Sequence, residues 1–140
     1  MFSPEISVDS LNEFSKGCMV SHVGTEFTEV GKEYLVAKMP VDDRTRQPLG
    51  LLHGGANVVL AETLGSVAAS LLLNPAEKYA VGLEINANHL KSARTGYVFG
   101  KCSPIHIGKG THVWEIRITN EDEKLICVSR ITMAILDQKK

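Results

Sequence analysis

The sequence predicts an α+β fold in which an antiparallel sheet wraps one long buried helix. Three observations carry this. Residues 54–73 form a long apolar run, two short extended runs precede it, and four more extended runs follow it with no second helical stretch.

The elements follow in chain order. Ser7 to Ser15 reads as a short N-terminal helix, with Asp9 and Ser10 as candidate N-caps, Glu13 three residues after Ser10, and Leu11 and Phe14 as spaced apolar residues. Val23 to Val30 and Tyr34 to Met39 are rich in β-branched or aromatic residues and flank Gly31-Lys32-Glu33, which predicts a hairpin. Asp42 to Leu49 is polar, contains Pro48 and reads as a loop. It feeds a helix from about Gly54 to about Leu73. Ala56, Val58, Val59, Leu60, Ala61, Leu64, Val67, Ala68, Leu71 and Leu72 make that helix apolar on nearly every side, so most of its circumference must be covered.

After Asn74-Pro75 come extended runs at Val81 to Leu90, Gly96 to Cys102 and Thr111 to Thr119, then Leu125 to Leu136 beyond the turn Asn120 to Lys124. In the third, His112, Trp114, Ile116 and Ile118 alternate with Val113, Glu115, Arg117 and Thr119, giving one largely apolar face. One sheet covers only part of so apolar a helix. A second copy would close the core, which predicts a homo-oligomer.

Bulk composition narrows the function. The chain has 140 residues, 44% hydrophobic and 22% charged, which suits a single domain over 1–140. Fifteen Lys and Arg against sixteen Asp and Glu give a net charge of −1, the opposite of a nucleic-acid binder's footprint. Cys18, Cys102 and Cys127 are widely spaced without a CxxC pair and read as reduced thiols of a cytoplasmic protein. Met1 to Ser10 lacks the basic start and apolar run of a secretion signal. Leu49 to Leu73 is interrupted by polar residues too often for a membrane span. Asp42, Asp43, Glu121, Asp122 and Glu123 look like turn residues without His or Cys at ligand spacing, so no metal is expected.

The chemistry concentrates at the start of the helix. Gly54 and Gly55 follow His53, where backbone N–H groups lack partners and the helix dipole favours negative charge. Such an end can hold an oxyanion, and glycine lets a ligand approach the backbone. Glu62 lies in the apolar stretch, where a carboxylate is costly to ionise and suited to attack on a carbonyl or proton abstraction from water. Ser66 follows four residues later on the same face, placed to orient Glu62 or a water. Gly54 and Glu62 are eight residues apart, roughly 12 Å of helix rise, and a side chain leaning back recovers only part of it. If both act on one carbonyl they should come from different chains.

The string Gln47-Pro48-Leu49-Gly50-Leu51-Leu52-His53-Gly54-Gly55, with Ala61-Glu62, Gly65-Ser66 and Val81 to His89, closely resembles the hot-dog-fold thioesterases. It looks most like their glutamate-type branch, which includes dihydroxynaphthoyl-CoA hydrolases of menaquinone synthesis and 4-hydroxybenzoyl-CoA thioesterases. The resemblance runs from about Met19 to Leu136. It implies a hot-dog fold, hydrolysis of an acyl-CoA with an aromatic or bulky acyl group, no dissociable cofactor, and a dimer of dimers with sites at the dimer interface. By the same resemblance Gln47 would bond near the thioester carbonyl, His53 would hold the acyl or thioester end, Gly54 N–H would polarise the carbonyl, and Glu62 would be nucleophile or general base. Coenzyme contacts would come from Gly82, from His89, Leu90, Lys91 and Ser92, and from His106, Ile107, Gly108, Lys109, Gly110 and Thr111, with Lys91, Arg94 and Lys109 as cations for phosphates. Lys91 where the family leads one to expect arginine, and a longer Asn74 to Glu77 loop, bear on affinity and acyl preference.

Competing readings exist for each residue. Glu62 could be a structural carboxylate satisfied by Thr63, Asn57 or a partner chain, His53 could only cap the helix, and Ser66 could be a small packing residue. For the whole chain, the rivals are a hot-dog hydratase or dehydratase and a non-catalytic acyl-CoA-binding module. The absence of a Phe-Pro-Gly-His-Pro-like entry counts against the hydratase.

Overall fold

In a computed structural model describing residues 1–140, the order is α1 (Val8–Phe14), α2 (Met19–His22), β1 (Glu26–Val30), β2 (Leu35–Pro40), α3 (Gly54–Ser70), β3 (Lys78–His89), β4 (Tyr97–Ile107), β5 (Thr111–Thr119) and β6 (Leu125–Asp137). Six antiparallel strands form one sheet in the order β1-β2-β4-β5-β6-β3, with α3 packed across it. The predicted architecture is present. No helix is long and apolar enough to cross a membrane.

Burial along α3 follows the helical period. Asn57, Leu60, Ala61, Leu64, Gly65, Ala68 and Ala69 are buried, whereas Val58, Val59, Glu62, Thr63, Ser66 and Val67 on the other face are half-buried. Two glycines let the helix come close to the sheet. A methyl on Gly65 would collide with Ile131 Cγ2, and one on Gly100 of β4 would lie 2.6 Å from Leu64 Cδ1. Beneath the helix, Leu35, Ala37, Met39, Val98, Trp114, Ile116, Ile118, Ile126, Ile131 and Met133 form the core. The alternation read in β5 is observed, with His112, Trp114, Ile116 and Ile118 all buried.

Several boundaries differ from the sequence reading. The cap of α1 is Ser7, which accepts from Ser10 N–H at 3.1 Å while Ser10 Oγ accepts from Ser7 N–H at 3.3 Å; serine takes the place of the glutamate of a capping box, so neither Asp9 nor Ser10 is the cap. The first strand begins at Glu26, not Val23, because the single turn α2 and Gly24 at φ 79° come first. α3 ends at Ser70, three residues early. Leu72 and Leu73 N–H donate to carbonyls three residues back, a tightened final turn that carries no further α-helix. β4 runs past Cys102 to Ile107, because a bulge between Pro104 and His106 accommodates a proline that lacks an N–H.

The two sheet edges are finished differently. On β1, Asn12 of α1 accepts from Phe27 N–H at 2.7 Å and donates to Phe27 O at 3.0 Å, so the outer edge is occupied. β3 is twelve residues long, pairs only with β6, and exposes Tyr79, Val81 and Leu83. An open edge of that length is a template for another strand.

Two consequences are measurable. Gly65→Val should lower unfolding free energy by about 1–3 kcal/mol, because the added methyls meet Ile131 in a filled core; denaturant titration reads this directly. His112 is 3% exposed, and burial, then the neighbouring His106, hold its pKa below the ordinary histidine value, against a small opposing effect of a Gly108 backbone hydrogen bond. The unfolded chain therefore takes up a proton that the folded chain refuses. Stability contributed by neutral His112 is present above about pH 6.5 and declines as pH falls below it. In His112→Phe the slope of unfolding free energy against pH between neutral and mildly acid solution should be shallower than in the parent.

Candidate functional site

The loop from Val41 to Leu52 delivers Gln47 and His53 to the start of α3. Thr45 Oγ1, in a buried residue, donates to Pro40 O at 2.6 Å; His53 N–H donates to Thr45 O, and Leu52 N–H to Ala93 O, both at 2.8 Å. Gly50 turns at φ 81°, a left-handed conformation that favours glycine. The Gln47 side-chain oxygen accepts from Leu49 N–H, which leaves its NH₂ group as the free end.

His53 is the N-cap of α3, and its Nδ1 accepts from Gly55 N–H at 2.8 Å. The capping reading is therefore what the geometry shows for this side chain. Ala56 and Asn57 N–H both donate to His53 O, at 2.9 and 3.4 Å. Of the first turn, only Gly54 N–H has no acceptor in the chain. It opens on a cavity of about 350 Å³ lined by Gln47, Leu51, Leu52, Gly54, Asn57, His89, Leu90, Lys91, Ser92 and Ala93. Leu90 and Lys91 N–H both donate to Ile126 O, which pins this wall to the start of β6.

Glu62 is not in that cavity. It lines a separate apolar hollow of about 260 Å³ with Met19, Val20, Val58, Val59 and Thr63, and its Oε1 sits against Gly82 so closely that any side chain there would displace it. Neither proposed structural partner holds it. Thr63 Oγ1 donates to Val59 O at 2.7 Å, and Asn57 faces His89. Ser66 does not reach Glu62 either: its Oγ is directed at Met133 Sδ, 3.9 Å away, and it lines a third cavity of about 390 Å³ with Leu11, Phe14, Ser15, Val67, Ser70 and Leu71. Expecting Ser66 to orient Glu62 rested on helical spacing alone; the side chain turns toward the sheet.

The residues expected to touch coenzyme fall into two groups. His89, Leu90, Lys91 and Ser92 line the Gly54 cavity, with Arg94 exposed just beyond it. Gly82 lies seven residues away along β3, roughly 23 Å of extended chain, beside Glu62. His106, Ile107, Gly108, Lys109, Gly110 and Thr111 form the β4–β5 turn at that same end, since Thr111 is in register with Ala134, which pairs with Val81. His106 folds back over Gly108, and Gly108 N–H donates to Thr111 O at 2.8 Å. One chain thus carries two clusters seven residues apart along β3: Gln47, Gly54 and His89 at one, Glu62, Gly82 and the β4–β5 turn at the other.

Sequence reasoning missed Asn57 as a site residue, naming it only as a possible structural partner of Glu62. Its place one turn after Gly54, at the head of the buried stripe, was the available signal.

Comparison with known proteins identifies the family and the fold. A model of the Thioesterase superfamily matches residues 49–127. The 1,4-dihydroxy-2-naphthoyl-CoA hydrolase of Escherichia coli is 52% identical over 132 residues, which cover 94% of this chain and 96% of that protein. The proofreading thioesterase EntH of Cronobacter turicensis is 44% identical over 131 residues, 94% of this chain and 95% of its own. A crystal structure of a Haemophilus influenzae thioesterase superposes with a TM-score of 0.94 at 44% identity, over 99% of this chain and 96% of that one. The chain belongs to the thioesterase superfamily, as an enzyme built on the hot-dog fold.

Proposed function

We propose that this enzyme hydrolyses an acyl-CoA thioester with an aromatic or other bulky acyl group, in a site assembled from two chains. The observation that carries the two-chain reading is the separation of Glu62 from the cavity holding the free Gly54 N–H. The open β3 edge supports it. Antiparallel pairing of two β3 strands about an axis midway between Gly82 and His89 would set the Gly82 end of one chain beside the His89 end of the other. Each interface would then hold two complete sites, and a dimer of dimers is the assembly we favour.

The chemistry needs no dissociable cofactor. The Gly54 N–H and the Gln47 NH₂ group hold the thioester oxygen as it gains negative charge. Glu62 acts in one of two ways. As general base it takes a proton from water while the water oxygen bonds to the carbonyl carbon; as nucleophile its carboxylate forms an acyl anhydride that water then cleaves. In both, the carbon–sulfur bond breaks and the thiol leaves with a proton. The apolar cavity one turn beyond Glu62, walled by Leu11, Phe14, Val67 and Leu71, is suited to a bulky acyl group. The naphthoyl-CoA relative makes 1,4-dihydroxy-2-naphthoyl-CoA, and with it menaquinone synthesis, our first choice. Lys91, Arg94 and Lys109 would meet the nucleotide phosphates. Three free thiols favour the cytoplasm.

A thiol-release screen over naphthoyl, benzoyl, phenylacetyl and aliphatic CoA esters tests the substrate class: turnover should favour the aromatic esters. An enoyl-CoA hydrated without thiol release would overturn the hydrolase reading. Glu62→Gln should lower thiol release by at least about a hundredfold; a drop under tenfold would move the main role to Gln47 or His53. The two-chain site has its own assay. Gly54→Val and Glu62→Gln chains, each weakly active alone, should regain partial activity when mixed and reassembled, and no recovery at all would indicate a site within one chain.

A further inference from the structure

The sheet-facing stripe of α3 has one polar member. Leu60, Ala61, Leu64, Gly65, Ala68 and Ala69 continue it, but it starts at Asn57, which is 4% exposed. Leucine or alanine would complete the stripe, whereas asparagine brings an amide into apolar packing, and its Oδ1 is buried with no partner. An unpaired buried carbonyl destabilises a fold, and a residue that breaks a local rule in this way marks a place where function is served.

The only side chain that Asn57 meets with a polar atom is His89. Asn57 Nδ2 lies 3.5 Å from His89 Nδ1. The other ring nitrogen, Nε2, sits over Gly54, where a methyl group would be 2.8 Å from it. Asn57, Gly54 and His89 line one cavity with Gln47. When the amide donates to Nδ1, the neutral ring must carry its proton on Nε2.

We propose that Asn57 is a positioning residue of this site, holding His89 in the Nε2–H form so that the ring donates into the cavity beside the free Gly54 N–H. The inference rests on the hydrolase reading above, and it makes His89 a third donor to the thioester oxygen, beside Gly54 N–H and the Gln47 NH₂ group, as well as a wall of the cavity. Glycine at position 54 is then required twice, for approach of the ligand and for approach of the imidazole. A donor aimed at developing negative charge acts mostly in the transition state, so its loss falls on kcat more than on KM.

The test combines histidine nitrogen–proton correlation spectra with kinetics on Asn57→Leu and Asn57→Ala, each made in the parent and in a His89→Ala background. The Nε2–H form of His89 should dominate in the parent and give way to a mixture of forms in both variants. kcat/KM should fall about tenfold, mostly in kcat, in the parent background and less than twofold in the His89→Ala background. Asn57→Leu should unfold at the same or a higher temperature than the parent, which a purely structural asparagine would not allow. An unchanged His89 tautomer, or equal losses in both backgrounds, would overturn the proposal. The spectra are recorded without substrate. If the parent protein released no thiol from any acyl-CoA, the hydrolase reading would fail while the tautomer still decided the role of Asn57.

Discussion

The distance between α3 and the sheet governs everything else in this molecule. It is set by hydrogen atoms where side chains would otherwise be: Gly65 over Ile131 and Gly100 under Leu64. Because the buried stripe of the helix is, Asn57 apart, small or branched aliphatic, the axis settles close to β4 and β6 and its ends are located by packing. The start of the helix then falls beside His89, and its third turn beside Gly82. One helix thus places both Gly54 and Glu62 along β3, so these two proposed reacting groups sit on a rigid element.

Rigid placement also explains why Glu62 and the Gly54 amide stand apart within one chain. Eight residues of helix rise, roughly 12 Å, carry Glu62 away from the Gly54 amide and into a separate cavity. A fold built only for stability would cover the outer edge of β3, as Asn12 covers β1. Here the long edge remains open, with Val81 and Leu83 exposed along it. The half-buried face of α3, with Val58, Val59 and Val67, lies with exposed Met19 and Phe14. The second copy proposed above would cover those apolar surfaces and bring the two groups together.

How far the residues alone revealed this depended on the range of the forces involved. The order of elements was legible because period-two and helical alternation are local: β5 was read residue by residue, and Gly54 to Ser70 differs from the expectation only in its last turn. Boundaries set by non-local bonds were not legible. Nothing near Pro104 announces that β5 will accept a bulge and extend the strand, and nothing near Val23 announces α2. The site divided in the same way. Helix arithmetic correctly separated Gly54 from Glu62, since it needs only the rise per residue. It could not tell that Ser66 turns toward Met133, or that Gly82 belongs under Glu62 and away from His89, because those depend on sheet register.

The first turn of α3 shows how selectivity among backbone donors arises. A helix start presents several amides at once, and an oxyanion site needs one of them aimed and available. His53 removes Gly55 N–H with its ring and supplies its carbonyl to Ala56 and Asn57. What remains is Gly54 N–H, on a residue without a side chain that lines a cavity with the His89 ring packed against it. Capping by His53 is therefore compatible with a part in the proposed reaction. By satisfying its neighbours, His53 leaves a single unpaired donor, and by folding against the backbone it keeps its own ring out of the space the ligand must enter.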